Sequence, residues 1–374
     1  MIKQAEELKK RETHGGMGKK MAEQRSVKNN PYSLIFGREP REVIPRLMQA
    51  DEMIQGFTGD PPSQQICMLT GVRGCGKTVQ MTLICKHFMT QEDWVVLELN
   101  PEGDILQSLA SRLASQNTLA KIFQGAKINL SFFGIGLEVK DSVPVTDIEM
   151  ALSQMLASLK KRGKKVLIAL DEVTNTPQMR QFAAAFQIFL RQDLPLFLIM
   201  TGLYENIYEL QNEKSLTFLY RAPKVQLQPL NIGTMMENYQ KVLQIDQDKA
   251  LRMAQMTRGY SFAFQVLGYF SWLYPKDDER VFTAYKQHLQ EYVYEKMWME
   301  LSEKDRKILW AMAKEKEGKV SAIKEMLNLK NNEFTPYRER LIRKGIIESN
   351  GRGYVRFVLP LFEEFVMERT FLEE

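Results

Sequence analysis

Only three cysteines and three histidines occur among the 374 residues. Cys67, Cys75 and Cys85 fall in one short stretch without C-x-x-C spacing, which excludes a disulfide framework and a zinc site built on cysteines. His14, His87 and His288 are scattered, so a histidine-centred triad or metallohydrolase centre finds no support. Long apolar runs are missing too. The longest, Val166–Leu170 and Leu194–Met200, fall far short of the ~18 residues that a spanning helix needs. Met1–Asn30 is lysine-rich and has no apolar h-region, so it does not read as a secretory signal. These absences predict a cytoplasmic chain without a membrane partner. A large charge excess is also lacking: +5 is too small to imply nucleic acid, so the distribution of charge matters more.

The chain that remains has ordinary globular composition and length enough for two or three domains of roughly 100–200 residues each. Residues 1–29 read as a mobile basic tail, almost without apolar periodicity. Order is predicted from Asn30-Pro31-Tyr32, followed by Phe36-Gly37-Arg38-Glu39-Pro40 and a helical pattern through Val43, Ile44, Leu47, Met48 and Ile54. Over 30–229, strand signals at Ile66–Thr70, Trp94–Leu99, Val166–Leu170, Leu196–Thr201 and Lys224–Leu227 alternate with helical stretches. Those stretches are Thr78–Met89, Ile105–Phe123, Thr146–Lys161, Gln178–Arg191 and Tyr204–Tyr220. Strands separated by helical crossovers predict a parallel α/β sheet covered on both faces. Lys127–Lys140 alternates about Gly134 and Gly136 and reads as an inserted hairpin, either an interaction finger or a cover for its own edge. Only helical patterns fill 230–299. From 300 to 374 three helices precede two short strands around Asn350-Gly351-Arg352-Gly353, the order of a winged helix-turn-helix.

Two motifs carry chemistry. Gly71-Val72-Arg73-Gly74-Cys75-Gly76-Lys77-Thr78 fits G-x-x-x-x-G-K-[ST], between a buried strand and a helix that continues through Val79. Its glycines let successive backbone N–H groups curl around a phosphate chain, and the new helix aims its positive end at the same anion. Lys77 is expected to reach the β- and γ-phosphates of ATP, and Thr78 to place its hydroxyl on Mg²⁺. The second motif is the apolar run Val166–Leu170 ending in Asp171-Glu172. Acids ending a buried parallel strand are costly unless a cation or a reacting water awaits them. Beside a phosphate loop, Asp171 is assigned to the Mg²⁺ shell and Glu172 to the attacking water.

With these residues the chain resembles AAA+ P-loop ATPases, in the branch of archaeal and bacterial ATP-binding proteins, origin-recognition-type initiators and STAND signalling ATPases. The resemblance covers most of residues 30–374. It implies a sheet ordered 5-1-4-3-2, ATP or ADP held between the sheet domain and a helical lid, and hydrolysis of ATP to ADP and phosphate. It further implies that Asn100 swings toward the catalytic glutamate, that Thr201 senses the γ-phosphate or lytic water, and that Arg221 is an arginine finger for a neighbouring subunit. The lid departs from the pattern. Phe262 and Ala263 begin its helix where a second-sensor arginine is expected, with Arg258 as a substitute before Gly259, which points to slow turnover and a switch.

Residues 324–356 hold eight basic side chains (Lys324, Lys330, Arg338, Arg340, Arg343, Lys344, Arg352, Arg356) against four glutamates. Duplex DNA binding and docking of a client protein both fit this pattern. An initiator-like DNA-binding protein and a STAND-like scaffold stand as alternatives to the switch, and a homo-oligomer is implied if Arg221 acts across subunits.

Overall fold

The computed structural model describes residues 29–35, 37, 39–136 and 143–373. Apart from Asn29 the predicted basic tail lies outside these residues, as do Phe36 and Arg38 of the lead-in.

Five strands, β1 (Ile66–Thr70), β2 (Trp94–Leu99), β3 (Lys165–Leu170), β4 (Leu196–Gly202) and β5 (Lys224–Gln226), form one parallel sheet in the order β2-β3-β4-β1-β5. This is the expected 5-1-4-3-2 order read from the opposite edge. Its central strands are buried on both faces, which is why they read as unbroken apolar runs. One face is covered by α1 (Leu47–Thr58) and α2 (Lys77–Met89), through Met53, Phe57, Ile84 and Phe88. The other face is covered by α3 (Ile105–Ser115), α4 (Asn117–Gly125), α5 (Ile148–Lys160) and α6 (Pro177–Arg191), through Leu109, Phe123, Met155 and Phe186.

Two predicted helices are divided. Gln116 turns extended (ψ 114°) between α3 and α4, and the stretch after β4 splits into α7 (Tyr204–Gln211) and a 3₁₀ segment, Lys214–Arg221. The predicted hairpin is corrected. Residues 137–142 are outside the description, but Ser131–Phe133 form a 3₁₀ turn and none of the described residues 127–136 is in a strand. Ile128, Leu130 and Ile135 are buried against α3–α5, so the alternation reflects an irregular segment packing on helices.

Beyond the sheet come α8 (Ile232–Leu243), α9 (Gln247–Met256), α10 (Ser261–Leu273) and α11 (Asp278–Leu289). The last runs through a π turn, Gln290–Tyr294, into α12 (Glu295–Met299). Then follow α13 (Glu303–Glu315), α14 (Val320–Met326), α15 (Asn331–Arg343), an antiparallel pair β6 (Ile347–Ser349) and β7 (Val355–Phe357), and α16 (Phe362–Glu373). The three-helix-then-hairpin order is the one expected. No gap separates it from the lid: Tyr294 meets Phe362 edge-on at 4.9 Å and Trp298 meets Phe365 at 6.0 Å, within one continuous core. The lead-in joins the same body. Tyr32 is buried, packs edge-on against Phe264 at 5.6 Å and donates its hydroxyl to Asn238 at 2.8 Å.

Candidate nucleotide-binding site

Strand register assembles the centre of the site. Leu170 pairs with Met200 and Leu99 with Leu170, so Asp171, Thr201 and Asn100 follow side by side at the carboxyl edge of the sheet. The loop after β1 rises beside them. Gly76 caps α2 at φ +92°, a left-handed conformation that a side chain would strain, and so turns the chain into the helix at this point. Thr78 on the first turn then donates its hydroxyl to Asp171 Oδ2 at 2.7 Å.

Asp171 is fully engaged. It also accepts from the Thr201 hydroxyl and from the Glu172 amide at 3.1 Å. The Thr201 oxygen in turn accepts from the Glu172 amide at 3.0 Å. Thr201 is buried, whereas Glu172 is exposed and sits at φ +53°, a conformation that costs a non-glycine residue on the order of 1–3 kcal/mol. The network thus fixes the backbone of Glu172 while leaving its carboxylate accessible. Lys77 is buried and donates to the carbonyls of Gly71 and Val72 at 3.1 and 3.0 Å, which holds its ammonium over the loop. Cys75 is buried with its sulfur tucked against Gly71, as a small residue that fits, and Val79 is half-buried on the first turn.

The outer face of the loop is gripped by the lid. Tyr260 donates its hydroxyl to the Arg73 carbonyl at 2.6 Å, the Phe262 amide donates to Gly74 at 3.1 Å, and Ser261 donates to Cys75 at 2.9 Å. Burial pushes the Tyr260 phenol well up from its usual range, so it remains a donor. Arg73 contributes backbone to the loop, but its guanidinium pairs with Glu300 at 3.1 Å. The C-terminal unit closes on the same loop: Gly345 abuts Val72, and Lys344 pairs with Glu205 on α7 at 2.5 Å.

The remaining predicted residues divide. Asn100 accepts from the Glu102 amide at 3.0 Å, a local turn contact beside Asp171. Arg221 is exposed at the end of the 3₁₀ segment. Arg258 is not turned to the loop: it donates to the carbonyls of Phe357 and Leu359 at 2.9 and 3.4 Å and so fastens the lid to β7. Sequence reasoning missed Arg46, which donates to the Cys75 carbonyl, and Tyr260. Contacts across 29 residues, for Arg46 and Cys75, and 187, for Tyr260 and Arg73, leave no local signature.

The basic residues of 324–356 are largely engaged within the chain. Arg340 pairs with buried Asp305 at 2.5 Å, Arg356 with Glu348 at 2.5 Å and Lys344 with Glu205, while Arg343 lies over the Tyr208 ring at 5.8 Å. Arg352 is exposed at the turn between β6 and β7. Among the described residues no helix is long and apolar enough to cross a membrane, and no cluster of three or more His, Cys, Asp or Glu could hold a metal ion.

Thr78 and Asp171 bring two hard oxygen donors together at the loop, a set that fits Mg²⁺ completed by phosphate and water oxygens. A family described as a domain of unknown function, DUF8462, matches residues 291–366, from within the π turn to α16. The comparison with curated proteins returns no match. Among solved structures the chain is similar to the Walker-type ATPase of Pyrococcus abyssi, at 15% identity over 87% of this chain and 96% of that one, with a TM-score of 0.61. It is also similar to the ORC2 protein of Aeropyrum pernix in its ADP form, at 14% identity over 91% and 97% of the two chains, with a TM-score of 0.50. At these identities the shared property is the fold, and the chain has the fold of a Walker-type ATPase.

Proposed function

We propose that this chain is an AAA+ switch of the origin-recognition-like type, which binds ATP with Mg²⁺ and hydrolyses it slowly to ADP and phosphate. The observation that carries the reading is the 2.7 Å bond between Thr78 and Asp171, with Lys77 and Thr201 beside it. Loop amides and Lys77 bind the phosphate chain, and Thr78 and Asp171 hold the metal, which supplies charge neutralisation at the phosphates. Glu172 orients and polarises the attacking water, and Thr201 keeps Asp171 and the Glu172 backbone in place. Asn100, which follows the strand paired with β3, is the polar group assigned to act on Glu172. Arg221, exposed, is available to a second copy of the chain. The occupation of Arg258 by β7 and the lack of an arginine at Phe262 or Ala263 support slow turnover.

The lid and the C-terminal winged helix both rest on the phosphate loop, so nucleotide state is read by the unit that contacts a client protein. Direct reading of duplex DNA by α15 is less favoured, because Arg340 and Lys344 are paired internally. A duplex titration at two salt concentrations tests it: tight, salt-sensitive binding by the nucleotide-free chain would restore the DNA reading. We assign the protein to the cytoplasm.

Lys77→Ala is expected to weaken ATP binding about 10–100-fold, the value of one charge-assisted contact, and to reduce nucleotide-induced thermal stabilisation at a fixed ATP concentration accordingly. Glu172→Gln is expected to bind ATP like the parent and lose phosphate release. Unchanged binding in the first variant, or unchanged turnover in the second, would refute the assignment.

A further inference from the structure

A cleft runs between the lid turn and the β6–β7 hairpin, on the outer face of the phosphate loop. Its inner chamber, of about 170 Å³, is mainly apolar and is walled by Val72, Leu227, Ile342, Ile347 and Leu359. An apolar cavity of about 150 Å³ accepts one benzene ring, so this chamber has room for a single ring or branched chain. Arg46 also reaches it, but is bonded to the Gln228 and Cys75 carbonyls. The outer chamber, of about 550 Å³, is polar. The two share Pro229, Arg258, Glu348 and Val358, and so join as one cleft. Arg258 stands at the join. It sits at φ +50°, a conformation that strains any residue but glycine, and uses only Nη1 on the carbonyls of Phe357 and Leu359. Among the described residues its Nε and Nη2 take part in no hydrogen bond or ion pair, which leaves one edge of the guanidinium open to a bidentate carboxylate. The outer chamber balances its charges. Arg356 and Glu348 pair with each other at 2.5 Å. Arg258 and Lys316 then stand against Glu317 and Glu363, none of which has an ion-pair partner among the described residues. Such a lining gives a polyanion or a polycation no net attraction, whereas a zwitterion finds both signs.

We infer that this cleft binds a free α-amino acid with an apolar side chain of the size of phenylalanine or leucine. The side chain fills the inner chamber, the carboxylate lies along the open edge of Arg258, and the ammonium pairs with Glu363 on the first turn of α16. Glu363 is half-buried, so its pairing is screened less than that of exposed Glu317. The bound amino acid touches the lid turn, the linker after β5 and the hairpin at once, and so holds the C-terminal unit against the lid. None of these contacts requires a nucleotide in the loop.

Titration calorimetry of the full chain with L-phenylalanine and its fragments tests the three contacts separately. L-Phenylalanine is expected to bind with a Kd of about 1 mM or below. Phenylacetate lacks the ammonium, phenethylamine lacks the carboxylate and glycine lacks the side chain. Each is expected to bind at least about 10-fold more weakly than phenylalanine. Arg258→Gln is expected to weaken phenylalanine binding about 10-fold. Glu363→Gln is expected to weaken phenylalanine to a similar degree while leaving phenylacetate within about 2-fold of its affinity for the parent. Ile342→Trp fills the inner chamber, keeps both charged residues and is expected to abolish binding. Absence of phenylalanine binding by the parent would overturn the inference. So would glycine, phenethylamine or phenylacetate binding as tightly as phenylalanine, or affinity for phenylalanine within about 2-fold of the parent in Arg258→Gln or Glu363→Gln. Arg258→Gln also loses its bonds to the hairpin. Should it not fold, Ile342→Trp decides, and phenylalanine binding like that of the parent is then the overturning result.

Discussion

The contact between the C-terminal unit and the phosphate loop can be tested energetically at Gly345. This residue follows α15 at φ +69°, and a methyl group added to it would stand 2.4 Å from Val72 Cγ1. The next nearest atom is Val72 Cβ at 3.9 Å, an ordinary contact. Gly345→Ala therefore carries two penalties. Left-handed strain costs roughly 1–2 kcal/mol wherever alanine is placed in that conformation. Overlap with Val72 adds about 1–3 kcal/mol, because Lys344, bonded to Glu205, resists withdrawal of the backbone. In a Val72→Ala background the overlap disappears and only the strain remains. Urea unfolding followed through tryptophan emission, with Trp298 and Trp310 in the C-terminal body, would measure the four corners of the cycle. The expected result is that Gly345→Ala costs about 2–5 kcal/mol in the parent and about 1–2 kcal/mol in the Val72→Ala background. Additivity within about 0.5 kcal/mol would show that the unit does not rest on the loop, and would remove the physical route from nucleotide to C-terminal unit.

Two further substitutions test single networks. Thr201→Val preserves volume but removes the hydroxyl that serves both Asp171 and the Glu172 amide. Phosphate release is expected to fall at least about 10-fold while nucleotide affinity changes less than about 3-fold, and equal losses in both would deny Thr201 its positioning role. Arg340→Ala strips the counter-charge from Asp305, which is 1% exposed. A loss of about 2–4 kcal/mol is expected on denaturation, below the roughly 3–5 kcal/mol of a fully buried pair, and Asp305→Asn in the same chain should recover part of it. No recovery would mean that Arg340 acts through packing rather than charge.

The strands were legible because parallel strands buried on both faces must be apolar throughout, and Ile66–Thr70 and Trp94–Leu99 have the predicted limits. The turn from Gly71 to Thr78 and the place of Asp171 beside it were legible for a related reason: a glycine-rich turn into a helix and an acid ending a buried strand need particular residue types at fixed spacing. Elsewhere periodicity misled. Residues 127–136 alternate because Ile128, Leu130 and Ile135 each find a helix face, not because they pair with another strand. The helix predicted over Tyr204–Tyr220 ends at Gln211, yet Leu216 and Leu219 keep helical spacing by packing under the sheet from a 3₁₀ segment. The basic stripe of 324–356 looked like a free face. Composition could not reveal that Asp305 and Glu205, distant in sequence, pair with Arg340 and Lys344, two of its eight basic residues. Arg46 resembles any polar residue opening a helix, and its partners lie 29, 182 and 215 positions away.

The lid turn holds the oxygens of three successive residues, Arg73, Gly74 and Cys75. Each peptide group is a stiff plate, with its oxygen on one edge and the following amide hydrogen on the other. An anion drawing on the inner edge of such a plate must tilt the outer edge by the same angle. The Gly74 plate has its amide edge on the Val72 carbonyl, so the anchored oxygens of Arg73 and Cys75 act as the short levers, and a rotation of a few degrees inside the loop arrives at Tyr260 and Ser261.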